Sequence, residues 1–137
     1  MAGGGCAPEG STISADTKSL TVEWWSTRGM EESELIYEIK VLPKATFLKI
    51  VATSSELTQD EKEIVANTVF PDVYTHATLQ KAEYRGTRFF VIDQFYPKQT
   101  VGKDVNGGEI VEGGSGTVQL VLIGVSNGFQ MSSYHYD

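Results

Sequence analysis

Arg88-Phe89-Phe90-Val91-Ile92-Asp93-Gln94-Phe95-Tyr96 is the stretch from which the fold is read. Aromatic and β-branched residues dominate it and neither face is consistently polar, the pattern of a strand buried on both sides. Upstream, Tyr74 to Tyr84 alternates weakly. Arg85-Gly86-Thr87 between the two segments supplies a turn, so together they are expected to form a β-hairpin. Downstream, Thr117 to Val125 holds Val118, Leu120, Val121, Leu122 and Ile123 in near-continuous apolar sequence, which predicts a second central strand.

Toward the N-terminus the alternation recurs. Glu34 to Val41 places Leu35, Tyr37, Ile39 and Val41 on one face and Glu38 and Lys40 on the other, and Pro43 ends it because proline cannot donate to a ladder. Thr46 to Ala52 reads as a further strand, with Leu48, Ile50 and Ala52 opposite Phe47, Lys49 and Val51. Ser19 to Trp25 alternates as well, with Leu20, Val22 and Trp24 on one side, and the polar segment Thr27 to Glu34 that follows is a loop. One helix is predicted, over Thr58–Val69. Thr58 stands three residues before Glu61, the spacing of a capping box in which each side chain satisfies the other's backbone amide. Asp60, Glu61 and Glu63 suit the positive end of the helix dipole, so they are read as a first turn and not as a patch for a basic partner.

Residues 97–117 are rich in glycine, and within them Asn106-Gly107-Gly108 separates Lys103-Asp104-Val105 from Glu109-Ile110-Val111. Asparagine and glycine tolerate the positive φ of tight turns, which predicts a small projecting hairpin. Asn127-Gly128 turns the chain into a C-terminal tail, Phe129 to Asp137, bearing Phe129, Tyr134 and Tyr136. The expected organisation is a glycine-rich arm over residues 1–17 and a single β-rich domain over residues 18–137, with the projecting loop at 97–117. The expected fold is mainly β (α+β), an antiparallel β-sandwich or open barrel of about six to seven strands with one packed α-helix.

Composition bounds the function. The 137 residues carry 11 Lys+Arg against 18 Asp+Glu, a net charge of −7. Such a chain gains no long-range attraction to nucleic acid or to an anionic membrane. A single cysteine, Cys6, excludes an intramolecular disulfide framework and any multi-cysteine zinc site. No apolar run approaches the roughly 18–20 residues that span a bilayer. Met1 to Glu9 has neither a basic nor an apolar region, so it is not read as a secretory signal, and Ala2 stands where myristoylation needs glycine. Cytoplasmic synthesis is the expectation.

Motifs for catalysis fail one by one. His76 and His135 are the two histidines, with no His-Glu-x-x-His or Cys-x-x-Cys spacing to form a metal site. Gly102-Lys103 has Pro97 where a phosphate-binding loop needs its first glycine, and Asp104 where it needs Ser or Thr. The run from Asp104 to Glu109 starts like a calcium loop but places Gly108 at the third ligand position. Asp93 interrupts an apolar strand and is read as one half of a structural ion pair, with Arg88 or Lys98, or as a sheet-edge residue. No catalytic residue, cofactor or metal is assigned, and the chain is read as a non-enzyme.

Lys81, Arg85 and Arg88 cluster around the hairpin turn beside Tyr84 and Phe89, and are read as a solvated hairpin tip or as one side of a subunit contact with acids of a neighbour. With Asn106, Gly107, Gly108, Phe129, Tyr134 and Tyr136 they form the candidate subunit contacts. The function expected is a non-enzymatic structural or assembly subunit, a homo-oligomer or part of a larger assembly with protein partners, without double-stranded nucleic acid or membrane. A decoration, joining or tail component of a virus or phage particle, incorporated into the virion, is the kind of role foreseen. The alternative is a small-ligand or peptide-binding module whose pocket is lined by Trp24, Trp25, Tyr37, Phe47 and Phe90.

Overall fold

The computed structural model describes residues 23–25, 32–112, 114–124 and 129–136; for Glu112 and residues 129–136 it describes the backbone alone. Among the described residues seven strands and two helices follow one another as β1 (Glu34–Pro43), α1 (Lys44–Thr53), α2 (Gln59–Thr68), β2 (His76–Tyr84), β3 (Thr87–Phe95), β4 (Gln99–Lys103), β5 (Glu109–Glu112), β6 (Gly116–Leu122) and β7 (Phe129–Tyr136). β1, β2, β3, β6 and β7 form a five-stranded sheet in that order, and β4 and β5 form a separate two-stranded one. Every pairing is antiparallel. The mainly β, α+β class foreseen from the sequence is the class observed.

The hairpin around the diagnostic stretch is present. Tyr84 pairs with Thr87 across the two-residue turn Arg85-Gly86. Both turn residues have positive φ, 49° and 82°, the twist that matches two right-handed strands. Strand β3 lies in the middle of the sheet, which removes the sheet-edge explanation of Asp93. β6, buried along its whole length, pairs with β3 on one side and β7 on the other, as its apolar run predicts.

Alternation divides the sheet into two apolar faces. Ala77, Leu79, Phe90, Ile92 and Val121 pack with Phe47 and Val51 of α1 and Ile64 and Val65 of α2. On the opposite face Ala82, Tyr84, Phe89, Val91, Val118, Leu120 and Leu122 cluster with Trp24. Trp24 meets Trp25 and Phe89 edge-on, at 5.4 and 5.2 Å between centroids. The five aromatics foreseen around one pocket therefore separate: Phe47 and Phe90 belong to the helix-facing core with Tyr37 against it, whereas Trp24 and Trp25 belong to the other face.

Three local expectations are corrected. Thr46–Ala52 is not a strand but the body of α1, so two helices cover the sheet where one was foreseen. Phe47 and Val51, four residues apart, are its buried pair, and Pro43 at its N-cap starts the helix as well as ending β1. Glu23–Trp25 is a short helical turn and not part of a strand, while residues 1–22 and 26–31, including the 1–17 arm and Cys6, lie outside the described residues. The segment Phe129–Tyr136 is not a tail but the edge strand β7. The Asn127-Gly128 turn lies outside the described residues.

Helix α2 forms as its cap predicts. The Glu61 amide donates to Thr58 Oγ1 at 3.1 Å and the Thr58 amide donates to Glu61 Oε1 at 2.9 Å.

Candidate functional site

The β3–β6 pairing does not stop at the rim of the sheet. The Tyr96 amide donates to the Ser115 carbonyl and the Gly114 amide to the Tyr96 carbonyl, so the two chains run on together. Beyond Pro97 they become the ribbon β4–β5, with Gln99 opposite Glu112, Thr100 opposite Val111, Gly102 opposite Ile110 and Lys103 opposite Glu109. From Tyr96 to Val105 the ribbon reaches up to about 30 Å. Every residue from Lys98 to Val111 is exposed. Val105 is fully so, and Val101, Ile110 and Val111 are about half exposed.

The tip is built by Asp104. Its Oδ1 accepts from the amides of Asn106 and Gly108, both at 2.8 Å, and Gly107 adopts φ 84° to close the turn. Asn106, Gly107 and Gly108 therefore stand at the end of the projecting hairpin, as the sequence predicts. Asp104 spends one carboxylate oxygen on backbone amides, the work of a turn residue.

The basic cluster at the other hairpin is dispersed. Lys81 is not on the surface: it is buried on the helix-facing side, with Nζ 2.6 Å from Glu61 Oε2 and side chains of the pair 9% and 8% exposed. Burial would raise the Glu61 carboxyl, but hydrogen bonds from Lys81 and the Thr58 amide, with the Lys81 charge, hold it below its ordinary value. Arg85 lies over the Tyr84 ring and bonds Glu23 at 2.7 Å and Glu32 at 2.8 Å; Arg88 bonds Glu83 at 3.0 Å. The acids that meet these arginines, Glu23, Glu32 and Glu83, belong to the same chain. Tyr84 also donates to Glu23, so the two residues fasten the Glu23–Trp25 turn to the sheet. Arg88 is not a partner of Asp93 in an ion pair, since its guanidinium is turned to Glu83.

A second buried polar group was not foreseen. Gln94 Nε2 donates to Gln119 Oε1 at 2.6 Å, and Gln94 Oε1 accepts the Phe70 amide at 2.8 Å. Tyr74 and Thr117 share a hydrogen bond between hydroxyls, 2.8 Å. The Lys44 ammonium donates to the carbonyls of Phe70 and Val73; burial lowers its proton affinity and Asp72 partly restores it. These bonds converge on residues 69–75, between α2 and β2. There Tyr74 is held at φ 63° and the rings of Phe70, Tyr74 and Tyr96 follow one another at 6.2 and 5.2 Å. The alternation of Gln94 with Phe90 and Ile92 was the available signal.

The side chains of Phe129, Tyr134 and Tyr136 lie outside the described residues; their backbones pair with Leu122, Val118 and Gly116. His76 is half-buried, with Nδ1 2.8 Å from Thr75 Oγ1. No group of three His, Cys, Asp or Glu able to hold a metal occurs among the described residues, and no helix among them is long and apolar enough to cross a membrane. No protein family, curated protein or solved structure matches this chain.

Proposed function

We propose that this chain is a non-enzymatic structural subunit of a larger assembly, of the kind from which a virus or phage particle is built, and that the β4–β5 ribbon is its contact arm. One observation carries this: an unbroken run, Lys98–Val111, is solvent-exposed and yet bears four large apolar side chains. An isolated two-stranded ribbon is marginal in water, and exposed apolar strand edges invite another chain. Such a ribbon gains its stability when a partner covers it.

The test is solution mass by light scattering over a concentration series, for the full chain, for Val105→Asp/Ile110→Asp, and for a chain with residues 99–112 replaced by a short glycine–serine link. An oligomer that the two arm variants reduce to monomer, with unchanged far-UV circular dichroism, is the expected result. A mass insensitive to both variants would overturn the assignment.

A further inference from the structure

We propose that the arm of one copy lies across the aromatic loop at residues 69–75 of a second copy, a pairing that presupposes the assembly role above. The loop presents apolar surface, with Phe70 37% and Val73 43% exposed, and it is held from beneath. Gln94 accepts the Phe70 amide, Lys44 donates to two loop carbonyls, Tyr74 bonds Thr117, and the Thr75 amide donates to the Phe95 carbonyl. A surface pinned at so many points loses little conformational freedom on docking, which leaves more of the contact energy for affinity.

A second copy is the occupant that this end of the fold suits. The Tyr96 ring meets Tyr74 at a tilt, 5.2 Å between centroids, and Tyr96 is also the last residue of the β3–β6 pairing before the arm departs. Plate and arm thus leave the fold at one place. A two-fold axis beside Tyr96 sets each arm over the other plate, an isologous arrangement that closes in one step. Residues 98–111 with 70–75, all exposed or half-buried, supply 20 residues a side, at the lower end of the roughly 20–30 of a standard interface. A foreign partner gripping the arm alone would leave Phe70 and Val73 in water. Charge agrees: Asp72 is exposed between the two apolar loop residues, and Lys103 is exposed beside Val101 and Val105 on the arm.

Cysteine pairing in a Cys6→Ser background tests the contact. One isotope-labelled population carries Val101→Cys, Val105→Cys or Ile110→Cys, and a second carries Val73→Cys, with Val41→Cys on β1 as the control. Oxidation of the mixture is expected to give a mixed labelled–unlabelled dimer from at least one arm position with Val73→Cys, and none above background with the control. Phe70→Glu/Val73→Glu should weaken self-association at least about tenfold with its far-UV spectrum unchanged. If arm variants dissociate the oligomer while the plate variants and cross-links do nothing, the plate is refuted and the assembly role stands. A chain monomeric throughout refutes both.

Discussion

Replacing Glu61 with alanine is the sharpest test of how the helical layer is held. The carboxylate does two things at once: Oε2 sits 2.6 Å from the buried Lys81 ammonium, and Oε1 accepts the Thr58 amide at the start of α2. Alanine leaves the ammonium without its counter-charge under the helices, and breaking one partner of a buried pair costs about 3–5 kcal/mol. Half of the capping box goes too, while Thr58 Oγ1 still serves the residue 61 amide; that adds at most about 1 kcal/mol. For a chain of 137 residues each kcal/mol moves the midpoint by roughly 3–4 °C, so the melting temperature should fall by roughly 10–20 °C. Glu61→Leu/Lys81→Met removes both charges and fills the space with apolar atoms, which is often neutral or better. The double variant should therefore regain most of the loss. pH gives an independent check. Burial disfavours the charged carboxylate, yet the Lys81 hydrogen bond, the Thr58 amide and the Lys81 charge outweigh it, so the group is more acidic folded than unfolded. Between those two values the unfolded chain binds more protons. Its contribution is complete above the unfolded value of about 4.3 and disappears as pH falls through the folded one. Thermal and urea melts followed by far-UV circular dichroism, from pH 7 down to pH 3, should show the double variant losing less stability on acidification than the parent. A drop under about 3 °C for the alanine variant, or a double variant no more stable than either single one, would refute the reasoning.

The remaining expectations concern the polar strap and the arm. Gln94→Leu withdraws the acceptor of the Phe70 amide and the donor to Gln119; at about 1–3 kcal/mol for each buried group deprived of a partner, the midpoint should fall clearly, and hydrogen exchange at the Phe70 amide should accelerate. Asp104→Ala removes the acceptor of the Asn106 and Gly108 amides, so exchange at those two should rise while the global melting temperature stays within about 1 °C, because the ribbon is separate from the main sheet.

Much of this fold is legible because its signals are local. The Thr58–Glu61 box needs only four residues to declare α2, and Arg85-Gly86 declares the β2–β3 turn because positive φ at both positions is demanding. Thr46–Ala52 misled for an equally physical reason. Phe47, Ile50 and Val51 favour strands by composition, and in so short a segment Phe47 and Val51 fit a period of two as well as a separation of four; only packing against Leu79 and Phe90 selects the helix. Lys81 misled because its partner is twenty residues away. A lysine in an alternating strand next to Arg85 looks like surface until α2 folds over it and delivers Glu61. Gln94 is illegible for a similar reason, since its partners Phe70 and Gln119 are 24 and 25 residues distant and an amide carries no charge to mark it. The Asp104–Gly108 turn, local again, was readable.

Strands β3 and β6 join the two halves of this behaviour. Inside the sheet their apolar side chains reach both cores and their amides, Gln94 and Gln119, satisfy each other. Past Tyr96 and Gly114 the same two chains continue as β4 and β5, with the same backbone pairing and none of the burial. Hydrogen bonding alone therefore does not explain why the arm holds its shape, since net backbone bonds contribute little without apolar cover. Within the sheet the cover is α1 and α2 on one face and the cluster around Trp24 on the other; in the assembly proposed above, a second copy supplies it on the arm. On the proposed reading, the boundary at Tyr96–Gly114 divides residues whose loss is felt in the folding of the domain from residues whose loss is felt in assembly.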